Sequence, residues 1–366
     1  MEKQPYRILQ VVTIMNRGGI ETMIMNHYRA IDRSKYQFDF LVHRQERGDY
    51  DDEIEQLGGK IYRAFPIRPW KYPMYFKWLN KFFMSHCNYI AVHSHIHENS
   101  GFVFKYAYKY SITRLLCTSH IAVNHIDYKF IFRIFPKLYL YKYCTDFLAC
   151  GVEAGKYLYG KKEFKVIKNA INTEIFSYNI NIRKRKRKEL DVENKFVIGS
   201  VARFSPQKNH IFILKVFKDV LNKNKDVKLI LVGDGPLENS IKEESIKLNL
   251  SSNIIFLGVR NDISELLQAF DVFIFPSLYE GLPVSIIEAQ AASLPCILSN
   301  TIDPETAITN YVEFHSLDSP ISEWSDAILS KQNFQRSDTS QEIINAGYDV
   351  NQNTEILINI YHPQNV

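Results

Sequence analysis

The sequence predicts an α/β protein made of two doubly wound halves, each a parallel sheet covered by helices. Three observations support this prediction. Short apolar runs with strand character alternate with segments of helical periodicity along the chain. The alternation occurs twice, before and after a boundary near residues 172–195. The chain has 366 residues, which is long enough for two domains that each bury a core.

The predicted elements of the first half begin with a strand at Arg7–Thr13, a turn at the double glycine and a helix at Glu21–Ala30. Further strands are predicted at Phe38–His43, Tyr89–His93 and Leu115–Thr118, with a helical segment at about Gly101–Tyr110. The second half has predicted strands at Phe196–Ala202, Val227–Val232, Ile254–Leu257, Val272–Phe275 and Cys296–Ser299. The predicted domains are 1–175 and 176–345, followed by a carboxyl-terminal segment, 346–366, whose helix is Asn351–Tyr361.

The composition is that of an ordinary soluble protein, with 46% hydrophobic and 23% charged residues. No stretch approaches the roughly 20 apolar residues of a membrane helix, and the first residues lack the apolar core of a signal peptide. Five scattered cysteines without a Cys-x-x-Cys pair argue for reduced thiols and against a disulfide framework or a cysteine zinc site. We therefore expect a cytoplasmic protein.

Two glutamates with seven residues between them, Glu280 and Glu288, are the most informative feature of the chain. The predicted strand Val272–Phe275 precedes them, and Pro283 suits the first position of a helix. Glu280 therefore lies in the loop at the carboxyl end of a strand, and Glu288 lies inside the helix. Ligands of open α/β sheets bind in the crevice at that edge.

The spacing of these two acids favours binding over glycosidic cleavage. Eight helical residues rise about 12 Å, whereas a glycosidase pair needs carboxyl groups about 5–9.5 Å apart. Each carboxylate can instead accept hydrogen bonds from a diol, one on a sugar and one on a ribose, while helix amides between them bind a diphosphate. The alternative is that Glu288 is a solvated helix residue and Glu280 a turn residue.

Five segments in series resemble one family. The Glu280–Glu288 pair is similar to the Glu-x7-Glu motif of the retaining glycosyltransferases of family four. The other similar segments are Gly18–Asn26, Val166–Asn172, Val201–Asn209 and Leu229–Leu237. The resemblance implies the GT-B fold, in which two doubly wound Rossmann-like domains face each other across a cleft. It also implies that the first domain is the acceptor side, that the second binds the nucleotide sugar, and that the carboxyl-terminal helix crosses back to pack on the first domain. The sequence of the double-glycine segment is most similar to that of members that assemble bacterial capsule or exopolysaccharide. One departure is Asn169-Ala-Ile-Asn172, where Asn-Gly-Ile-Asp is commoner.

The resemblance implies a retaining hexosyltransferase that moves a sugar from a nucleotide-sugar donor, expected to be UDP-linked. The acceptor would be a glycan or a lipid-linked glycan in surface polysaccharide biosynthesis. Neither a cofactor nor a metal ion is expected. Two alternatives stay open: a nucleotide-sugar epimerase of the same fold, and a catalytically silent partner subunit that only binds the sugar nucleotide.

Residue by residue, the resemblance implies four catalytic positions: Glu280, His120, Arg203 and Lys208. The implied substrate-binding positions are Gly18, Gly19, His95, Asn169, Gly233, Arg260, Gly281, Leu282, Val284 and Glu288. Arg203 can hold a leaving diphosphate as a bidentate fork, and Lys208 can hold it as a point charge. Taken alone, both would be interpreted as surface cations.

Histidines follow two strands of the first half. His120 ends the strand Leu115–Thr118, in a position similar to the active-site histidine of the family. His93, His95 and His97 alternate, so in an extended strand they would share one face. That pattern also fits a zinc triad, and the alternatives are a role on the acceptor side or plain packing and surface positions.

Two further motifs are similar to known functional motifs but have different interpretations here. The segment Gly233-Asp-Gly235 follows a strand, but Glu238 stands where a dinucleotide fingerprint needs its third glycine, so an oxidoreductase is not favoured. The acids Asp49, Asp51 and Asp52 resemble the metal motif of another glycosyltransferase fold. They precede a predicted helix start, where acids are common.

The net charge of +5 is unevenly distributed. Six consecutive basic residues, Arg183–Lys188, predict a solvated helix face, and no nucleic-acid motif accompanies them, so no nucleic-acid partner is expected. Phe65–Phe83 and Tyr128–Tyr143 mix aromatic and basic residues. Such segments suit a membrane interface, and helices that bury their aromatic side chains are the alternative. The hypothesis is peripheral contact with the inner face of the membrane.

Overall fold

The computed structural model describes residues 4–120, 130–280 and 282–362. The chain divides into two compact units: Met1–Ala170 with Val350–Val366, and Ile171–Asp349. The sequence prediction places these divisions after residues 175 and 345. Each unit contains a sheet in which the paired strands are parallel, so the predicted class of two parallel-sheet α/β domains is confirmed.

The sheet of the first unit has the strand order β3-β2-β1-β4-β5-β6-β7. Its strands are β1 (Tyr6–Val12), β2 (Tyr36–Val42), β3 (Ile61–Arg63), β4 (Tyr89–Ser94), β5 (Leu115–Ser119), β6 (Asp146–Ala149) and β7 (Lys165–Val166). The prediction missed β3, β6 and β7, which have three, four and two residues and therefore show no periodicity. The strands β2 and β3 are added on one side of β1, and the strands from β4 onward are added on its other side. Ligands of such sheets bind at this switch point between β1 and β4.

Helices cover both faces of this sheet. They are α1 (Gly19–Ala30), α2 (Asp51–Gln56), α3 (Tyr72–Ser85), α4 (Ser100–Lys109), α5 (Phe130–Tyr143) and α6 (Val152–Tyr159). Two clusters of buried apolar side chains result, one around Phe83 and Phe102 and one around Tyr28 and Phe38. Burial on both faces explains why the long strands are almost continuously apolar. No helix in the described part of the chain has the length and apolar character needed to span a membrane.

The second unit repeats this architecture with the strand order β10-β9-β8-β11-β12-β13. Its strands are β8 (Phe196–Val201), β9 (Val227–Val232), β10 (Ile254–Gly258), β11 (Val272–Phe275), β12 (Cys296–Ser299) and β13 (Val312–His315). Its helices are α7 (Thr173–Phe176), α8 (Ile180–Glu189), α9 (His210–Lys223), α10 (Glu238–Lys247), α11 (Ile263–Ala269), α12 (Val284–Ala291), α13 (Ile321–Leu329) and α14 (Ser340–Asn345). Only β13 among these strands was not predicted.

The basic run Arg183–Lys188 lies on α8 and is only partly solvated. Lys186 and Arg187 are buried. Lys186 pairs with Asp262 at 2.8 Å, and Arg187 pairs with Asp271 at 3.0 Å. The predicted solvated face is therefore wrong for these two residues, because α8 packs against α11 and the loop before β11.

The last helix, α15 (Val350–Tyr361), belongs to the first unit. It packs on α1, where Thr354 Oγ1 lies 2.8 Å from Nδ1 of His27. Arg114 donates from Nε to the carbonyl oxygen of Ile360 at 2.7 Å. Tyr361 is buried between this helix and the sheet. The carboxyl-terminal helix is thus part of the core of the first unit.

Candidate active site

The loops that follow β8 and β9 pack backbone against backbone. Gly233 and Gly235 have φ angles of +128° and +153°, which side-chain-bearing residues rarely adopt. A Cβ on Gly233 would lie 2.2 Å from the carbonyl oxygen of Ala202. A Cβ on Gly235 would lie 2.5 Å from that of Phe204. Both glycines are required by this packing, which fixes the loop that carries Arg203.

A second set of contacts joins the loop before α9 to the loop after β11. Gln207 donates its side-chain amide to the carbonyl oxygen of Tyr279 at 2.8 Å. Its own carbonyl accepts the amide hydrogen of Leu278, also at 2.8 Å. These bonds bring Nζ of Lys208 to 2.5 Å from Oε1 of Glu280. Two of the residues assigned to catalysis from the sequence are therefore in direct contact.

The Lys208–Glu280 ion pair is largely withdrawn from water. The side chains are 17% and 8% exposed. Nζ of Lys208 also lies 4.8 Å from the centre of the Phe275 ring, within range of a cation–π contact. Because a charge taken out of water is unfavourable unless it is paired, each of these two charges compensates the other.

Arg203 lies close to Lys208 in the sequence, but its environment is different. Its side chain is exposed, and it forms no ion pair or side-chain hydrogen bond with the residues that the structure describes. A guanidinium has five N–H donors in a planar fork, a shape that matches phosphate oxygens. No described residue therefore occupies the donors of Arg203, which can bind an anion at the carboxyl end of β8.

Glu288 is the fifth residue of α12, and Pro283 precedes that helix as its N-cap, one position earlier than predicted. Burial raises the pKa of Glu288 to about 7. Its carboxyl group has no hydrogen-bond partner in the described residues. Leu282 and Val284 pack against the core of the second unit. Gly281 lies outside the described residues.

Arg260 is engaged elsewhere in the second unit. It donates from Nε and Nη2 to Asp262 at 2.8 and 2.7 Å, and Nη2 lies 3.7 Å from Glu189. Within the described part of the chain, no contact joins Arg260 to Arg203 or Lys208. Arg260 therefore forms ion pairs with Asp262 and Glu189, separate from the contacts of Lys208 and Glu280.

In the first unit, the double glycine begins α1 instead of forming the predicted turn. Gly18 is the N-cap and Gly19 the first helical residue. A Cβ on Gly18 would meet only the flexible carboxylate of Glu21, and a Cβ on Gly19 would meet nothing within 4 Å. The space beside Gly19 is therefore open, next to helix amides that lack intrahelical acceptors.

The histidines of the first unit form a cluster at the ends of β4 and β5. The rings of His93 and His95 are 4.3 Å apart, and the ring of His120 is 5.2 Å from that of His95. The prediction of one shared face is wrong for His97. Strand β4 ends at Ser94, and His97 starts a short 3-10 turn with a φ of +52°.

Hydrogen bonds connect this cluster to β1 and α15. Nε2 of His120 lies 2.9 Å from Nδ1 of His95, and Nε2 of His95 lies 3.0 Å from Oε1 of Gln10. The amide nitrogen of Gln10 donates to the hydroxyl of Tyr361 at 3.2 Å. That hydroxyl is 2.8 Å from Nδ1 of His93. Burial lowers the pKa of His93 and of His120 to about 3, so both rings are neutral near pH 7.

A cavity of about 550 Å³ opens at the carboxyl ends of β1, β2 and β4. Its volume falls within the range of small-molecule sites. Polar groups of several kinds line it, including Thr13, Arg44, His95, Glu98, Asn99 and Arg133. Hydroxyl, amide, cationic and carboxylate groups together suit a ligand rich in hydroxyl groups. The cavity lies at the switch point of the strand order.

Asn169 follows β7 in the first unit. Its Oδ1 atom is buried and has no hydrogen-bond partner in the described residues, so it is a candidate acceptor for a ligand hydroxyl. The described residues contain no group of three or more His, Cys, Asp or Glu side chains placed to hold a metal ion.

Sequence reasoning missed several residues of the first unit. Gln10 and Tyr361 belong to the histidine cluster, and Arg44 and Arg133 line the cavity. A signal existed for Gln10, because an amide within an apolar strand is unusual among buried residues. No local signal marks Tyr361, whose apolar helix resembles any other core helix.

Comparison with known proteins identifies the family. Residues 181–348 match the model described as glycosyl transferases group 1. The chain is 35% identical to EpsF of Bacillus subtilis strain 168, which is named as a glycosyltransferase, over 99% of this chain and 98% of EpsF. It is 26% identical to CapH of Staphylococcus aureus, a capsular polysaccharide biosynthesis glycosyltransferase, over 97% of this chain and 98% of CapH. The chain belongs to the glycosyl transferases group 1 and is a glycosyltransferase.

Solved structures give the same fold. The crystal structure of HepE from Anabaena, in complex with UDP, matches with a TM-score of 0.76. The match covers 96% of this chain and 98% of HepE at 18% sequence identity. The GT-B fold predicted from the sequence is thereby confirmed.

We expect the Glu280→Gln variant to bind inorganic pyrophosphate about three- to tenfold more tightly than the native protein. The neutral amide no longer competes for Lys208, and two unit charges 4 Å apart attract by about 1 kcal/mol even in bulk water. Isothermal titration calorimetry in EDTA measures the change. Glu288→Gln is the matched control and should bind as the native protein does. Weaker binding by Glu280→Gln would mean that the carboxylate positions Lys208 and does not compete for it.

We expect Glu288 to make stability fall as the pH rises. Its pKa of about 7 in the folded chain lies above the value of about 4.3 in an unfolded chain. The folded state therefore binds more protons between these two values, so stability is highest below them and is lost as the pH rises through them. Thermal unfolding at pH 5 and pH 8 should differ less for Glu288→Gln than for the control Glu243→Gln, an exposed glutamate on α10. Equal pH dependence in the two variants would contradict this.

Proposed function

We propose that this protein is a retaining, metal-independent hexosyltransferase that uses a UDP-sugar donor. Its acceptor would be a glycan or a lipid-linked glycan in bacterial surface polysaccharide biosynthesis. The observation that carries this proposal is the partly buried Lys208–Glu280 pair, with Arg203 on the neighbouring loop unpaired among the described residues. One carboxylate and two cations are the groups that a sugar diphosphate needs, and they stand at the carboxyl edge of a parallel sheet.

The donor would bind in the second unit. Arg203 and Lys208 would hold the diphosphate, with amides of the first turn of α12 as additional donors. Glu280 would then exchange Lys208 for hydroxyl groups of the sugar. Glu288 would accept hydroxyls of the ribose, since its carboxyl group has no other partner in the described residues. The UDP bound to the Anabaena relative, together with the shared fold, supports a UDP-linked donor.

Stabilising the leaving diphosphate would be the main catalytic task. Preorganised charges aimed at the developing charge lower the barrier without a metal ion. In a retaining reaction the acceptor hydroxyl attacks from the face that the diphosphate leaves, and an oxygen of the departing phosphate can take its proton. The protein would then contribute positioning and electrostatics. His120 would contact a hydroxyl of the transferred sugar.

The acceptor would bind in the first unit, in the cavity at the ends of β1, β2 and β4. The arginines of its lining also suit an anionic group on the acceptor. Arg133 lies on α5, where Phe132, Phe135 and Leu138 are about half exposed. That apolar surface supports contact with a lipid chain or with the inner face of the membrane. The polysaccharide role of CapH supports a glycan acceptor.

Thermal unfolding in EDTA tests the donor assignment. We expect UDP and UDP-sugars to stabilise the protein, by about 2.7 kcal/mol at a hundred times their dissociation constant, and GDP, ADP and NAD to have little effect. The UDP-sugar with the largest effect is then incubated with a short-chain lipid diphosphate monosaccharide. Proton NMR of the product should show the anomeric configuration of the donor.

Each part of the proposal has its own contradicting result. An inverted anomer would refute retention. Stabilisation that requires a divalent ion would refute metal independence. Conversion of the donor without an acceptor would favour an epimerase, and binding without turnover would favour a silent partner subunit.

A further inference from the structure

Gln10 is a buried amide in the middle of an apolar strand. It is 1% exposed and lies between Leu9 and Val11 in β1. A buried amide destabilises a fold unless its polar atoms are hydrogen-bonded. Both ends of this amide bond to other side chains, the oxygen to His95 and the nitrogen to Tyr361. Gln10 is therefore the junction between the histidine cluster and the last helix.

The amide gives the hydrogen-bonded chain a direction. A neutral imidazole has one N–H and one bare nitrogen, so an amide oxygen 3.0 Å from Nε2 of His95 requires the proton of that ring on Nε2. Nδ1 of His95 is then bare and accepts a hydrogen bond from Nε2 of His120 at 2.9 Å. The single proton of His120 is on Nε2, which leaves its Nδ1 bare.

The hydrogen bonds on the other side of Gln10 run in the same direction, from donor to acceptor. The hydroxyl of Tyr361 accepts from Gln10 and donates to Nδ1 of His93 at 2.8 Å. His93 then donates from Nε2 to Oγ1 of Thr118 at 2.7 Å. Each of the five hydrogen bonds from His120 to Thr118 then has one donor and one acceptor. If the amide turned over, the whole chain would reverse and His120 would present an N–H.

We propose that Gln10, anchored by Tyr361, is a positioning residue that acts through His95 to present the bare Nδ1 of His120 to a substrate hydroxyl. This nitrogen is buried and has no hydrogen-bond partner in the described residues. A bare imidazole nitrogen accepts a hydrogen bond from a hydroxyl and cannot donate one. The inference rests on the proposed function, in which His120 contacts the transferred sugar.

The arrangement makes His120 selective for a hydrogen-bond donor on the sugar. A site built to bond a hydroxyl discriminates strongly against an analogue that lacks it, because a buried polar atom is then left unpaired. A deoxyfluoro sugar, which only accepts, should be as poor a substrate as the deoxy sugar at the position that faces His120. A donating His120 would instead tolerate the fluorine.

Nitrogen NMR of the protein labelled with ¹⁵N in its histidine rings tests the proposal directly. The His120→Asn variant assigns the His120 signals, and we expect an unprotonated Nδ1 in the native protein. In Gln10→Met, which removes the acceptor of His95, His120 should populate both tautomers. The kcat of transfer should fall about tenfold or more, with the KM for the donor changed less than about threefold.

Thr354→Val is the matched control. It removes a buried hydrogen bond between the same helix and His27, and this bond is not part of the hydrogen-bonded chain from His120 to Thr118. It should leave the tautomer and kcat unchanged. If Gln10→Met does not fold, Tyr361→Phe frees the amide nitrogen and should also mix the tautomers. A protonated Nδ1 in the native protein would overturn the proposal, as would native tautomer and kcat in Gln10→Met.

The His120→Asn variant separates this inference from the proposed function. Unchanged transfer in that variant would refute contact between His120 and the sugar. It would also refute a catalytic role for the hydrogen-bonded chain through Gln10. The ¹⁵N spectrum of the native protein would still report the direction of the hydrogen bonds, because that result does not depend on turnover.

Discussion

Helices on both faces of each parallel sheet constrain where this protein can place polar chemistry. The interior of each sheet is apolar, so a polar side chain there is stable only at an edge of the sheet or with a complete set of partners. Both solutions occur. Lys208 and Glu280 stand at the edge of the second sheet and compensate each other, whereas Gln10 lies inside the first sheet and bonds at both ends of its amide.

The two solutions have different consequences for function. An ion pair such as Lys208–Glu280 can exchange partners, because an incoming diphosphate offers Lys208 another anion and sugar hydroxyls offer Glu280 other donors. A hydrogen-bonded chain such as that of Gln10 cannot exchange partners without leaving a buried polar atom unpaired. Under the proposed function, the charges of the second unit would redistribute when the donor binds. In the proposed arrangement, the first unit would hold the ring of His120 in one tautomer.

Much of this structure could be predicted from the sequence, for identifiable reasons. The long strands were predicted because burial on both faces makes them continuous apolar runs, whereas β3, β6, β7 and β13 are too short or too exposed to show such a pattern. Glu280 is predicted from its position after a strand and from a family resemblance, and Lys208 from the resemblance, but no local pattern predicts their contact across 72 positions. The bond from Gln10 to Tyr361 spans 351 positions. It depends on how the last helix packs, which periodicity does not specify.

The proposed donor site consists of the loops around Arg203, Lys208 and α12 and needs no metal ion. Hydrogen–deuterium exchange with and without UDP, in EDTA, tests it most directly. We expect slower exchange in residues 203–209 and 284–291, and no comparable change in β12 or β13. Protection that appears only with a divalent ion, or that spares both of those segments, would contradict it.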